Sequence, residues 1–181
     1  HIVKIVAVSK YSTVQEIEKL YKIGQRAFGE NKVQDLREKT KELEDLPLEW
    51  HFIGNLQKNK INNLLDITPT LFQALDSLEL AYELQKKLLA RDTILNCLLQ
   101  VNSAKEESKH GVMPEDAVAI YKQIQQECPN IHLKGVMSIG AHSEETNIVK
   151  NSFEITRKIY DELPHATICS MGMSGDFELA I

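Results

Sequence analysis

Seven times along this chain, a short apolar run rich in β-branched and aromatic residues gives way to a longer stretch of helical periodicity. That rhythm leaves few folds open. The strand candidates are Ile2–Val8, Arg26–Gly29, Glu49–Ile53, Leu71–Ala74, Thr93–Val101, Leu133–Ser138 and Thr167–Cys169. Each is followed by a helix candidate: Val14–Ile23, Asn31–Leu43, Gln57–Leu65, Ser77–Ala90, Pro114–Glu127, Glu144–Leu163 and one beginning near Ser174. Local punctuation agrees. Thr13 with Glu16 three places later forms a capping-box pattern, and Pro114 suits a first helical turn, where its missing N–H leaves nothing unsatisfied. Between Ser77 and Ala90, Leu78, Ala81, Tyr82, Leu84, Leu88 and Leu89 recur at spacings of three and four, which is one face of a helix packed on a sheet.

Such alternation builds a parallel sheet, either an open doubly wound one or a closed (β/α)8 barrel, and both bind ligands at the C-terminal ends of their strands. A nucleotide-binding doubly wound fold carries a glycine-rich first turn, whereas this one reads Ser9-Lys-Tyr-Ser12. The expected architecture is therefore an α/β, TIM-type (β/α)8 barrel. The chain begins in a strand and stops at Phe177–Ile181, inside the seventh helix, so it is expected to lack the last strand-helix unit and the N-terminal helix of such a barrel. No repeat, linker or low-complexity tract divides it, and residues 1–181 read as one barrel domain truncated at the C-terminus.

Composition narrows the partners. The 181 residues are 43% hydrophobic and 26% charged, which suits one ordinary globular core. Lys+Arg 21 against Asp+Glu 26 gives a net charge of −5 and no overall basic field for nucleic acid. No apolar run approaches the roughly 20 residues of a membrane span and no secretory signal opens the chain, so a cytoplasmic location is expected. Cys97, Cys128 and Cys169 are odd in number, far apart and without metal-ligand spacing, and read as reduced core thiols.

Polar residues collect after the strands. Lys10 ends the run Ile5–Lys10 and presents an amine where a barrel opens, a place for a Schiff-base lysine or for an ordinary exposed one. Cys169-Ser-Met-Gly-Met-Ser-Gly-Asp176 joins the seventh strand to a helix. Ser170 offers a hydroxyl, Gly172 and Gly175 admit close backbone approach, and a helix from Ser174 would aim N–H groups at an anion. The alternative is a serine-capped helix after a flexible turn. Asn31 could bond a ring hydroxyl or simply cap its helix. His51 alternates with Phe52 and Ile53 and is a catalytic candidate or, more commonly for that pattern, a hydrogen-bonded core residue. Met137, Met171 and Met173 could pad a ring or fill an irregular core. Gln57–Lys60 and Lys105–Lys109 read as solvated faces.

Six segments in this order resemble the pyridoxal phosphate homeostasis protein family, the YggS or PROSC type. These are Val6–Lys10; Phe28-Gly-Glu-Asn31; Trp50-His-Phe-Ile-Gly54 with Leu56-Gln57 and Asn59-Lys60; Ser108-Lys-His-Gly111; Lys134-Gly-Val-Met137; and Ser170-Met-Gly-Met-Ser174. The resemblance spans nearly the whole chain and implies the barrel of the alanine racemase N-terminal domain. It also implies pyridoxal 5′-phosphate as cofactor, held as a Schiff base on Lys10, with Ser170 at the phosphate, Asn31 against the cofactor and Met137 beside it. The implied role is intracellular storage, carriage or regulation of pyridoxal phosphate without robust turnover, by a monomer that serves pyridoxal-phosphate-dependent apo-enzymes. The competing enzymatic readings are an amino-acid racemase and a Schiff-base aldolase acting on a phosphorylated sugar.

Overall fold

A computed structural model describes residues 2–106 and 109–181 of the chain. Seven strands, β1 (Ala7–Val8), β2 (Ala27–Glu30), β3 (Glu49–Phe52), β4 (Leu71–Leu75), β5 (Leu95–Gln100), β6 (Ile131–Met137) and β7 (Ile168–Ser170), pair in sequence order, every pair parallel. Between them run α1 (Val14–Lys22), α2 (Val33–Glu42), α3 (Ile61–Ile67, entered through a 3₁₀ turn at Lys58–Lys60), α4 (Leu78–Ala90), α5 (Pro114–Glu127) and α6 (Thr146–Asp161). A short α7 (Phe177–Ala180) follows β7. The sheet curls into most of a TIM-type barrel that holds seven of the eight units, and β1 and β7 form its two edges.

Each element forms for a local reason. Thr13 accepts from the Glu16 N–H while the Glu16 carboxylate accepts from the Thr13 N–H, so the predicted capping box closes at the start of α1. Ser77 caps α4 by accepting from Leu80 N–H at 3.2 Å, and Pro114 stands in the first turn of α5. The strands that read as continuous apolar runs, β4 above all, are buried along their whole length, as a parallel sheet covered by helices requires.

The core lies mainly between sheet and helices. Phe28 stands 5.9 Å from Trp50 and Phe52 5.8 Å from Phe72, ring centroid to ring centroid, so aromatic pairs bridge β2 to β3 and β3 to β4. Leu36, Leu64, Leu84, Tyr121 and Ile124 come from the helices into the same core, each such side chain contributing roughly 1.5–3 kcal/mol of burial.

Three expectations need correction. The first strand is two residues long, not Ile2–Val8: Ile2, Val3 and Ile5 are exposed, because an edge strand has one neighbour and only Ala7 and Val8 find register partners, Phe28 and Gly29. Asn31 is not a helix cap, since α2 begins at Val33 with Lys32 in the cap position. The last helix begins at Phe177, three residues beyond Ser174. One irregularity is structural: between β5 and β6 the register steps from Cys97↔Leu133 to Leu98↔Gly135. Gly135 sits at that bulge, where a Cβ would lie 1.8 Å from the Ile168 carbonyl oxygen, so only glycine lets β7 approach.

Candidate functional site

The C-terminal strand ends carry the chemistry. Val8 pairs with Gly29 across β1 and β2, and two residues beyond that pair stand Lys10 and Asn31. Lys10 is exposed, its amine 5.1 Å from the centre of the Tyr11 ring. With Thr13, Asp35, Glu38 and Lys39 it borders a groove of about 330 Å³, yet among the described residues no carboxylate forms an ion pair with its amine.

The residue before it is pinned. Ser9 is buried and donates its hydroxyl to Glu30 Oε1 at 2.7 Å, while Lys39, reaching in from α2, donates to the same Oε1 at 2.6 Å and to the Ser9 carbonyl at 2.7 Å. Glu30 is fully buried, and its second oxygen, Oε2, has no protein partner among the described residues. This clamp anchors the backbone on which Lys10 stands. Sequence reasoning placed Glu30 at a strand end and missed Lys39, although a carboxylate closing a buried strand calls for a cation from the next helix.

Asn31 is half-buried, and its carbonyl is packed so closely on Gly54 that a Cβ there would lie 2.0 Å from the oxygen. Met137 and Ser170 are register partners on β6 and β7, Met137 buried and Ser170 half-buried. The structure thus pairs the four candidates two by two, Lys10 with Asn31 at one edge of the sheet and Met137 with Ser170 at the other. No hydrogen bond joins the pairs among the described residues.

Ser170 is tied inward instead. Its hydroxyl donates to Gln73 Oε1 at 2.7 Å, and the Gln73 amide nitrogen lies 2.7 Å from His51 Nδ1, so a polar chain crosses the inside of the curl from β3 through β4 to β7. His51 is therefore a hydrogen-bonded interior residue. Burial, reinforced by Lys4 and opposed by Glu49, pushes its pKa down to about 4. Gln73 is a second residue that sequence reasoning missed, and its signal was a lone amide inside Leu71-Phe-Gln-Ala-Leu75.

The turn after β7 departs from the expected anion seat in part. Gly172 has φ +90° and faces Ala180 and Phe177 so closely that a Cβ would meet them at 2.9 and 3.1 Å, whereas nothing lies within 4 Å of a Cβ on Gly175. The Met173 N–H donates to the Asp176 carboxylate at 2.5 Å, so a side chain of the protein takes one donor of this turn. Met173 is exposed. Next to Ser170, burial pushes the Cys169 thiol up to about 11, which keeps it protonated at neutral pH.

Around the central strands, Asn55 donates to Asp76 Oδ2 at 3.1 Å and lies 3.2 Å from His110 Nδ1. Lys109 belongs to the structure more than to a solvated face: its amine donates to the Gly140 carbonyl at 2.8 Å and pairs with Glu106 at 3.0 Å. Ser108 lies outside the described residues. Among the described residues no group of three His, Cys, Asp or Glu side chains stands close enough to hold a metal, and no helix is long and apolar enough to cross a membrane.

The model of the alanine racemase N-terminal domain matches residues 1–181. A pyridoxal phosphate homeostasis protein of Helicobacter pylori is 55% identical over 181 residues, covering all of this chain and 82% of that protein. The chain belongs to this family. The human pyridoxal phosphate homeostasis protein is 36% identical over 194 residues, covering 98% of this chain and 70% of its own length. Among solved structures, PipY of Synechococcus elongatus with pyridoxal phosphate bound matches with a TM-score of 0.84 at 30% identity, covering 98% of this chain and 85% of that one. An alanine racemase of Clostridium difficile matches with a TM-score of 0.80 at 16% identity over 96% of this chain and 47% of its own, a likeness of fold.

Proposed function

We propose that the chain holds pyridoxal 5′-phosphate through a Schiff base on Lys10 and serves pyridoxal phosphate homeostasis as a store, carrier or regulator without robust turnover. The observation that carries this reading is the Lys10 amine, free of any carboxylate partner among the described residues and two places beyond the β1–β2 register, in a chain so similar to proteins named for that role. The residues fit the group. An uncommitted amine suits the aldehyde, and the half-buried Ser170 hydroxyl at the end of β7, before a turn with open space at Gly175, suits the phosphate. Pyridoxal phosphate, when bound, would supply a reactive aldehyde to the amine that Lys10 holds beyond the end of β1.

The other residues orient and screen. Asn31, which does not cap α2, would lie against the cofactor and Met137 would cover it from β6, while the Glu30–Lys39 clamp holds the Ser9 carbonyl so that Lys10 starts from a fixed backbone. In this reading the protein acts in the cytoplasm as a monomer and passes the cofactor to apo-enzymes that depend on it.

Borohydride reduction after incubation with pyridoxal phosphate, followed by peptide mass analysis, places a pyridoxyl group on Lys10. Lys10→Ala stays folded and loses it. An adduct on another lysine, or none, overturns the covalent reading. Deuterium exchange at the α-carbon of small amino acids stays at background; rapid exchange that depends on Lys10 replaces the carrier by a racemase.

A further inference from the structure

The chain from His51 through Gln73 to Ser170 has a direction. An amide has a donating end and an accepting end, a serine hydroxyl has one proton, and a neutral imidazole has one N–H. Gln73 donates from its nitrogen to His51 Nδ1, so His51 carries its proton on Nε2, and the Ser170 proton is committed to Gln73 Oε1. In this polarity Ser170 shows only lone pairs to the strand ends. The dianion of a phosphate monoester, the main form above pH ~6, offers only acceptor oxygens, so it cannot bond to Ser170 while the chain points this way.

Turning the Gln73 amide by half a rotation reverses every link. Oε1 then accepts from His51 Nδ1–H, the amide nitrogen donates to Ser170 Oγ, and the Ser170 proton is free to be donated outward. Both polarities satisfy the same internal contacts, and the outward one adds a charge-assisted bond to the anion. Both His51 and Gln73 are buried, and each is the other's hydrogen-bond partner.

We propose that Gln73 is a positioning residue that couples anion binding at Ser170 to the tautomer of His51, Nε2–H when the seat is empty and Nδ1–H when it is filled. The imidazole stays neutral throughout. One proton leaves Nε2 and one arrives at Nδ1, exchanged through water with no net uptake; the half-exposed Glu49 carboxylate, 4.0 Å from Nε2, is the base on that side, and Lys4 bonds to the same carboxylate. The device rests on the reading of Ser170 as a phosphate donor and adds what sets the hydroxyl's direction.

Nitrogen NMR of the protein labelled with ¹⁵N-histidine reports which ring nitrogen of His51 is protonated. The expected result is Nε2–H in the free protein and with pyridoxal, which lacks the phosphate, and Nδ1–H with pyridoxal 5′-phosphate or with methyl phosphate as its dianion, which carries no P–OH donor. An unchanged tautomer in protein carrying pyridoxal phosphate on Lys10 overturns the coupling. If no adduct forms on Lys10, the covalent reading fails, and the methyl phosphate arm decides the coupling by itself: a switch upholds it and no switch overturns it. Gln73→Glu replaces the amide by two acceptors, fixing His51 as Nδ1–H and holding the Ser170 proton inward. In this variant the tautomer no longer responds, and the preference for pyridoxal phosphate over pyridoxal falls about tenfold or more, as the loss of one charge-assisted bond implies. A preference equal to that of the unsubstituted protein, in a variant that still captures pyridoxal on Lys10, overturns the proposal.

Discussion

Two buried polar residues have consequences that solution experiments can read. His51 has its pKa pushed down to about 4 from an ordinary value near 6.5, so between these pH values the unfolded chain binds a proton that the folded one refuses. Its contribution to stability is fully present above pH ~6.5 and is lost as pH falls toward 4, at about 1.4 kcal/mol per pH unit. Denaturant unfolding measured at pH 5 and pH 7 should show this loss, and His51→Gln should flatten it. Glu30 poses the opposite problem, a fully buried carboxylate whose charge is met by Lys39 at 2.6 Å. Lys39→Met leaves that charge without its cation and is expected to cost about 3–5 kcal/mol of unfolding free energy. Glu30→Gln combined with Lys39→Met should recover part of the loss, because the uncompensated charge is then gone.

Among the elements, α1 depends on its first turn. Thr13→Ala removes one half of the capping box and should lower stability by about 1 kcal/mol, with a matching drop in the midpoint of thermal unfolding. The β6–β7 pair depends on the absence of a side chain at Gly135. Gly135→Ala drives a methyl group into the Ile168 carbonyl, so β7 must move away, at a cost of about 1–3 kcal/mol. Ser170 stands two residues from Ile168 on the same strand, so this substitution should also displace its hydroxyl and weaken any ligand held there, measured as phosphate affinity against a folded control.

Over the whole molecule, protection is expected to fall from the middle of the sheet outward. β4 and β5 are each paired on both sides and covered by helices, with Phe72, Leu75, Leu98 and Leu99 fully buried, while β1 has a single neighbour and two paired residues. Amide hydrogen exchange should be slowest in β4, β5 and the adjoining part of β6, and fastest in residues 2–8 and in β7–α7. Equal protection at Val8 and Leu98 would contradict this gradient. The two edges of the sheet carry half of the candidate site each, so the least protected parts of the molecule are the ones that hold Lys10 and Ser170.

The seven strand-helix units, the capping box at Thr13, Pro114 at the start of α5 and the placement of Lys10, Asn31, Met137 and Ser170 at or just beyond strand ends are legible in the chain's local pattern. All of these depend on the spacing of near neighbours, which hydrophobic period and backbone preference record directly. Three features come from long-range packing instead: β1 is two residues long, Lys39 meets Glu30, and Gln73 holds Ser170 across 97 positions of sequence. An edge strand ends where its neighbour stops offering partners, and a buried polar atom takes whichever group the curled sheet brings within reach. Neither is a property of a local window, because both are set by how distant segments close on one another.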